Sequence, residues 1–187
     1  MNYSQYRALH TQLVAKDATT GGRTEPAYIE YTRLNLQRIK RWEKQVKLTD
    51  SEREWLSKQT TPIKWVVLTE PWCGDAAPSL PVMQLIAAHH PVLELEILLR
   101  DEHLDLMNHY LTDGAQSIPK LIQYTNGSDS AHAHWGPRPA GAAQLIAEYK
   151  AAHGGLDASA RELLQQWYNK DKGQQIISEL LTLLGWE

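Results

Sequence analysis

Apolar positions in the first third of the chain recur at helical spacing. Over residues 3–15, Tyr6, Leu9, Leu13 and Val14 share or adjoin one face, which predicts an amphipathic helix. Thr19-Thr20-Gly21-Gly22 breaks it. Thr24 is placed to cap a second helix with Pro26 in its first turn. Its apolar stripe is Tyr28, Tyr31, Leu36, Ile39, Trp42 and Val46, and its other side carries Arg33, Arg38, Lys40, Arg41, Lys44 and Lys47. That basic side reads as a solvated face, with a site for an anionic partner as the competing reading. Thr49-Asp50-Ser51-Glu52 is a capping box opening a short helix through Trp55 and Leu56, ended by Thr60-Thr61-Pro62.

The pattern then changes. Residues 63–68 are apolar apart from Lys64, as in a central strand covered on both faces. Residues 76–89 form a helix so apolar that it must be well covered. A second strand follows at 92–99, and Asp101 caps a short helix containing Leu104, Leu106, Met107 and Leu111. A third strand spans 118–124, Asn126-Gly127 signals a hairpin, and 130–135 is a fourth, more polar strand. A helix over 139–152 ends at Gly154-Gly155, and 158–184 is helical again with a break near Lys172-Gly173. This order argues for an α/β fold: a four-stranded mixed sheet flanked by helices, with helical N- and C-terminal extensions. The expected boundaries are 1–60 for the first extension, 61–152 for the core and 153–187 for the second.

Composition narrows the function classes. The 187 residues carry a formal net charge of -3, which gives no pull towards nucleic acid. No run is apolar enough to span a membrane, and the N-terminus lacks a signal-peptide pattern. The single cysteine excludes an internal disulfide, so a cytoplasmic protein is expected. The sequence carries no signal for an oligomeric state.

That cysteine, Cys73, sits where the first central strand turns into the apolar helix. A sulfur there faces helix N-terminal N–H groups, which favour an anion. Asp75 and Glu70 work against the same anion. Alone, such a cysteine reads as a small buried hydrophobe; the surrounding motif favours an exposed thiol instead. Thr69-Glu70-Pro71-Trp72-Cys73-Gly74-Asp75-Ala76 resembles the Trp-Cys-Gly-x-Cys site of the thioredoxin superfamily, with Ala76 in the place of the second cysteine. Pro81, eight residues after Cys73, matches the proline that kinks that family's active-site helix, and Ser117-Ile118-Pro119 resembles its cis-proline loop. The likeness spans about residues 61–152. The whole chain is similar to an uncharacterised thioredoxin-like branch from Bacteroidota, in which the Cys-Gly-Asp-Ala form and the Trp135 to Pro139 segment recur.

The resemblance implies that Cys73 is the nucleophile of thiol–disulfide exchange. Ile118 and Pro119 would align a substrate disulfide, Trp72 would flank the sulfur as an exposed apolar platform, and Gly74 and Asp75 would complete the contact surface. Arg138, at the start of the last core helix, lies where glutaredoxin-like folds hold the carboxylate of glutathione; a surface arginine paired with a carboxylate is the equal alternative. Arg100 is a weaker candidate for the same task. With Ala76 in the resolving position, release of a mixed disulfide requires an external thiol, as in monothiol glutaredoxins and bacilliredoxins. Val67 stands six residues before Cys73, where thioredoxins bury an aspartate. The expected activity is therefore a monothiol thiol-disulfide oxidoreductase acting on a protein or small-molecule disulfide. A low-molecular-weight thiol is its only expected co-substrate, with no metal or resident cofactor. The alternative is a redox-inactive thioredoxin-fold protein that holds a partner. His132 and His134 share a strand face without a third ligand in place, so a metal site is not expected. Glu70 stands where a peroxiredoxin-like site needs threonine.

Overall fold

The computed structural model describes residues 1–125, 128 and 130–186. The expected Asn126-Gly127 hairpin lies outside them. The chain divides into two compact units, Met1–Pro137 and Arg138–Glu187.

The first unit is built on a four-stranded mixed sheet, ordered β2-β1-β3-β4. Its strands are β1 (Ile63–Thr69), β2 (Leu93–Leu99), β3 (Lys120–Thr125) and β4 (Ala133–Trp135). β1 pairs parallel with β2 and antiparallel with β3, and β3 pairs antiparallel with β4. The central position of β1 explains its apolar sequence: Trp65, Val67 and Leu68 are fully buried. Its one charged residue, Lys64, reaches the rim and pairs with Glu96 of β2 at 2.8 Å. Trp65 donates its indole N–H to Gln123 of β3 at 2.8 Å, which satisfies two buried polar groups together.

Helices α1 (Tyr3–Ala15), α2 (Pro26–Gln45) and α3 (Asp50–Ser57) belong to the same unit as the sheet. Met1 exchanges backbone hydrogen bonds with Ile97 at 2.9 and 2.7 Å, so the chain start covers part of the open side of β2. α2 buries Leu36, Ile39 and Trp42, as its stripe predicts, together with the polar Thr32 and Asn35. It packs against α4 (Ala76–His89), whose first eight residues are all buried. The capping box at Thr49 and Glu52 forms as predicted.

Several local expectations shift. The residue before α2 is Glu25 rather than Thr24, and it makes no side-chain cap bond. Asp101 caps nothing: it lies in a 3-10 turn, Arg100–Glu102, and its carboxylate serves two arginines. The helix after it, α5, spans only Leu104–Met107, leaving Leu111 outside it and exposed. β3 starts two residues late, directly after Pro119, which has no N–H for the ladder. β4 starts three residues later than expected.

The second unit contains α6 (Ala140–His153), α7 (Ala158–Asp171) and α8 (Gln174–Leu183). Gly154 closes α6 in the left-handed conformation, and Lys172-Gly173 separates α7 from α8 with positive φ at both residues. α6 groups with α7 and α8 in this unit. Gly141 leaves no room for a side chain, since a Cβ there lies 2.6 Å from Gln175 Oε1 and 2.9 Å from the Trp167 ring.

Candidate functional site

The register of the sheet brings the site together. Leu68 near the end of β1 is paired with Lys120 at the start of β3, so the segments just beyond those ends meet. One is Glu70–Asp75, leading into α4; the other is the Ser117–Pro119 loop. The Ile118–Pro119 peptide bond is cis. The Cys73 thiol donates to the Ile118 carbonyl oxygen at 3.2 Å, and Cys73 N–H donates to Glu70 O at 3.0 Å. Cys73 is only 7% exposed. Two expectations are corrected here: the thiol is buried rather than exposed, and its sulfur faces a carbonyl oxygen. Only the protonated S–H makes that bond.

The loop facing the thiol is braced from behind. Gly136 has φ +106°, a region that L side chains rarely enter, and a Cβ there would run into the Pro119 carbonyl oxygen. The buried Lys120 ammonium donates to Thr112 Oγ1 at 2.6 Å and to Gly136 O at 2.9 Å. Burial holds this amine below its ordinary pKa. The Trp135 to Pro139 segment, legible in the sequence only as a recurring motif, thus has a steric reason for its glycine.

The N-terminal helices supply the other side. Asn35 of α2 donates to Pro71 O at 3.1 Å and accepts from Arg38 Nη1 at 3.1 Å. Arg38 is half-buried beside Gly74, where an added Cβ would meet only its Nη1, at 3.9 Å. Its guanidinium is held below the ordinary value by burial and by Arg41, with Tyr31 and Asp75 opposing. One residue of the basic face of α2 therefore reaches the site. Trp72 is half-buried and is not an open platform. The guanidinium groups of Arg23 and Arg100 lie 4.8 and 5.0 Å from its ring, and Tyr28 meets it edge-on at 5.2 Å. Asp101 fixes both cations, at 2.6 Å to Arg100 and 3.9 Å to Arg23. Asp75 stands at the N-cap of α4 without a side-chain cap bond.

The same unit buries several polar side chains. Glu70 is fully buried; Asp101 N–H donates to its Oε1 at 2.9 Å, and Thr20 donates to its Oε2. Burial pushes this carboxyl above the usual range against those two hydrogen bonds. Tyr6 of α1 is also fully buried, and its hydroxyl has no hydrogen-bond partner among the described residues. Its phenol is pushed up by burial, then by the facing acidic groups of Cys73 and Glu70. His10, one turn on, holds Thr32 O through Nε2 at 2.8 Å; burial lowers its pKa to about 4, so the ring is neutral.

Arg138 opens the second unit. The N–H groups at the start of α6 are not free for an anion: Ala140 N–H donates to Glu179 at 2.8 Å and Gly141 N–H to Gln175 at 3.1 Å. His134 meets Tyr110 edge-on at 5.8 Å. Among the described residues no cluster of three or more His, Cys, Asp or Glu is placed to hold a metal, and no helix is long and apolar enough to cross a membrane.

Tyr6, Thr20, Arg23, Asn35 and Arg38 escaped the sequence reading as site residues. Tyr6 was legible as a stripe position and Arg38 as a basic one, but neither periodicity carries their approach to residues 70–75.

Comparison with known proteins agrees with this geometry. The solved chains it resembles include a protein of unknown function from Pseudomonas aeruginosa, with a TM-score of 0.58 and 16% identity over 98% of this chain and 97% of that one. An HIV epitope-scaffold gives a TM-score of 0.59 and 15% identity over 98% of both chains. These likenesses bear on the fold alone. No curated protein sequence matches. The family model described as Thioredoxin matches residues 22–150, taking in α2 and the whole sheet. By its matched residues, its sheet and the placement of Cys73 against the Ile118–Pro119 loop, the chain belongs to the thioredoxin family.

Proposed function

We propose that the protein carries out thiol–disulfide exchange through Cys73 alone. The observation that supports this reading is the 3.2 Å contact between Cys73 Sγ and Ile118 O. It puts the sulfur beside a backbone that an extended peptide or thiol can pair with. Cys73 gives up its proton and its sulfur attacks a disulfide RS–SR′. A Cys73–SR bond forms and R′S⁻ leaves, taking a proton. Ala76 is buried and apolar and no second cysteine exists in the chain, so an external thiol R″SH attacks the mixed disulfide. RS–SR″ leaves and Cys73 regains a proton. The balance is RS–SR′ plus R″SH giving RS–SR″ plus R′SH. Cytoplasmic low-molecular-weight thiols fit the external role. Trp72, Gly74, Asp75 and the Ile118–Pro119 backbone would contact the substrate.

The test is turnover of a small mixed disulfide coupled to glutathione or bacillithiol. Cys73→Ser is expected to abolish it; unchanged turnover in that variant sinks the proposal. A second reading, a redox-inactive protein that holds a partner, is favoured by the 7% exposure of Cys73 and by the arginines and tyrosine already on Trp72. Folded wild-type protein that neither turns over nor forms an adduct would select it.

A further inference from the structure

The two chain neighbours of Cys73 are each met by an arginine from the N-terminal helical region. On one side, the Arg23 guanidinium lies 4.8 Å from the Trp72 ring and 4.4 Å from the Tyr28 ring. Its ion pair with Asp101 is long, 3.9 Å from Nε to Oδ2, and Nε has no hydrogen-bond partner among the described residues. The other oxygen, Oδ1, is taken by Arg100 at 2.8 and 2.6 Å. On the other side, Arg38 Nη1 is the atom that an added Gly74 Cβ would meet, at 3.9 Å. Arg38 donates to the neutral Asn35 amide oxygen. The charged side chain acting on it most strongly is Arg41, ahead of Asp75. Buried charges are normally paired, and Arg7, Arg33, Arg53 and Arg100 are each hydrogen-bonded to a carboxylate. Arg23 and Arg38 are half-buried and undercompensated. Glu70 does not fill the gap, since its oxygens accept from Thr20 and from Asp101 N–H.

We propose that Arg38 and Arg23 bind a carboxylate carried by the molecule that reaches Cys73, so that the site selects small acidic disulfides over neutral ones. This names the substrate class of the exchange proposed above and rests on that reading. A planar guanidinium suits a carboxylate, and partial burial spares both cations much of the screening that exposed charges undergo. The 7% exposure of Cys73 fits a small molecule better than a folded protein surface. It also gives one residue of the basic side of α2 a ligand, where the rest of that side is solvated.

The test is alkylation of folded protein by iodoacetate and by iodoacetamide, an anionic and a neutral reagent of similar size. Each rate is divided by the rate on the same chain unfolded in urea. The single cysteine makes both rates specific. In wild type the iodoacetate ratio is expected to exceed the iodoacetamide ratio by roughly tenfold, the scale of one hydrogen bond to a charged group. The preference should fade in ~1 M salt. Arg38→Gln is expected to remove most of it and Arg23→Gln part of it, whereas Lys47→Gln, which deletes an exposed charge beyond the end of α2, leaves it intact. Arg23 lies outside the helices, so its variant keeps the test decisive if Arg38→Gln does not fold. Equal ratios in wild type overturn the proposal. So do a preference unchanged in the site variants, a loss as large in Lys47→Gln, and a folded protein that reacts with neither reagent. Turnover of dithiodiglycolate and of hydroxyethyl disulfide separates this proposal from the exchange reading. Equal turnover of the two leaves exchange standing without the selection. An alkylation preference in a protein that exchanges neither keeps the arginine site and removes the exchange.

Discussion

Gly136→Ala perturbs the loop opposite the thiol without touching it. At φ +106° an alanine is strained by about 1–3 kcal/mol. Its Cβ would also overlap the Pro119 carbonyl oxygen, a backbone atom that cannot rotate aside. Forcing extra atoms into such packing costs a further ~1–3 kcal/mol. The expected loss is therefore about 2–6 kcal/mol out of a typical total of ~5–15 kcal/mol. For a chain of this size that lowers the melting temperature by roughly 5–20 °C. Relief of the overlap must move Pro119, and with it the Ile118 carbonyl that holds the Cys73 thiol. Urea and thermal unfolding give the first readout, and the rate of Cys73 alkylation under native conditions gives the second, expected to rise. A variant within ~0.5 kcal/mol of wild type, with unchanged alkylation, would refute the steric argument, since that is the range of a surface substitution away from such features.

Three other perturbations follow from the same geometry. The Glu70 carboxyl has a folded pKa above its unfolded value, so its contribution to stability is fully present below the unfolded value and is lost as pH rises through the folded one. Glu70→Gln does not titrate; its stability relative to wild type should therefore rise from pH 4 towards neutral in urea titrations, and a pH-independent difference would contradict the burial argument. Asn35→Ala removes the donor to Pro71 O and is expected to cost about 1–3 kcal/mol by unfolding, because that carbonyl loses its partner; no loss would mean that α2 does not hold the site loop. Gly74→Ala meets nothing closer than 3.9 Å, at φ outside the glycine region, so its melting temperature should match or slightly exceed wild type, and a marked loss would show that the loop requires glycine.

What the sequence made legible was local. β1, the apolar α4, the capping box at Thr49 and the break at Lys172-Gly173 each rest on neighbouring residues, and each forms. Asp101 misled because Arg23, far back in the chain, and its own neighbour Arg100 claim the carboxylate that was expected to cap a helix. Cys73 was placed at the correct joint. Its burial depends on the Ile118 carbonyl, 45 residues away, and no local pattern encodes that contact. Glu70 read as a charge opposing the thiolate; Thr20, fifty residues earlier, and Asp101 N–H turn it into a buried, hydrogen-bonded carboxyl. The N-terminal helices read as an extension because their amphipathic stripes say that a face is covered but not by what. Through Asn35 and Arg38, α2 forms one wall of the site.

Exchange by Cys73 without a second cysteine can be read by intact-mass analysis of folded protein exposed to oxidised glutathione and then to reduced glutathione. One glutathione adduct per chain is expected, formed without denaturant, absent from Cys73→Ser, and removed by the reduced thiol. Folded wild-type protein that gains no adduct, while the same chain is modified once unfolded, would contradict it.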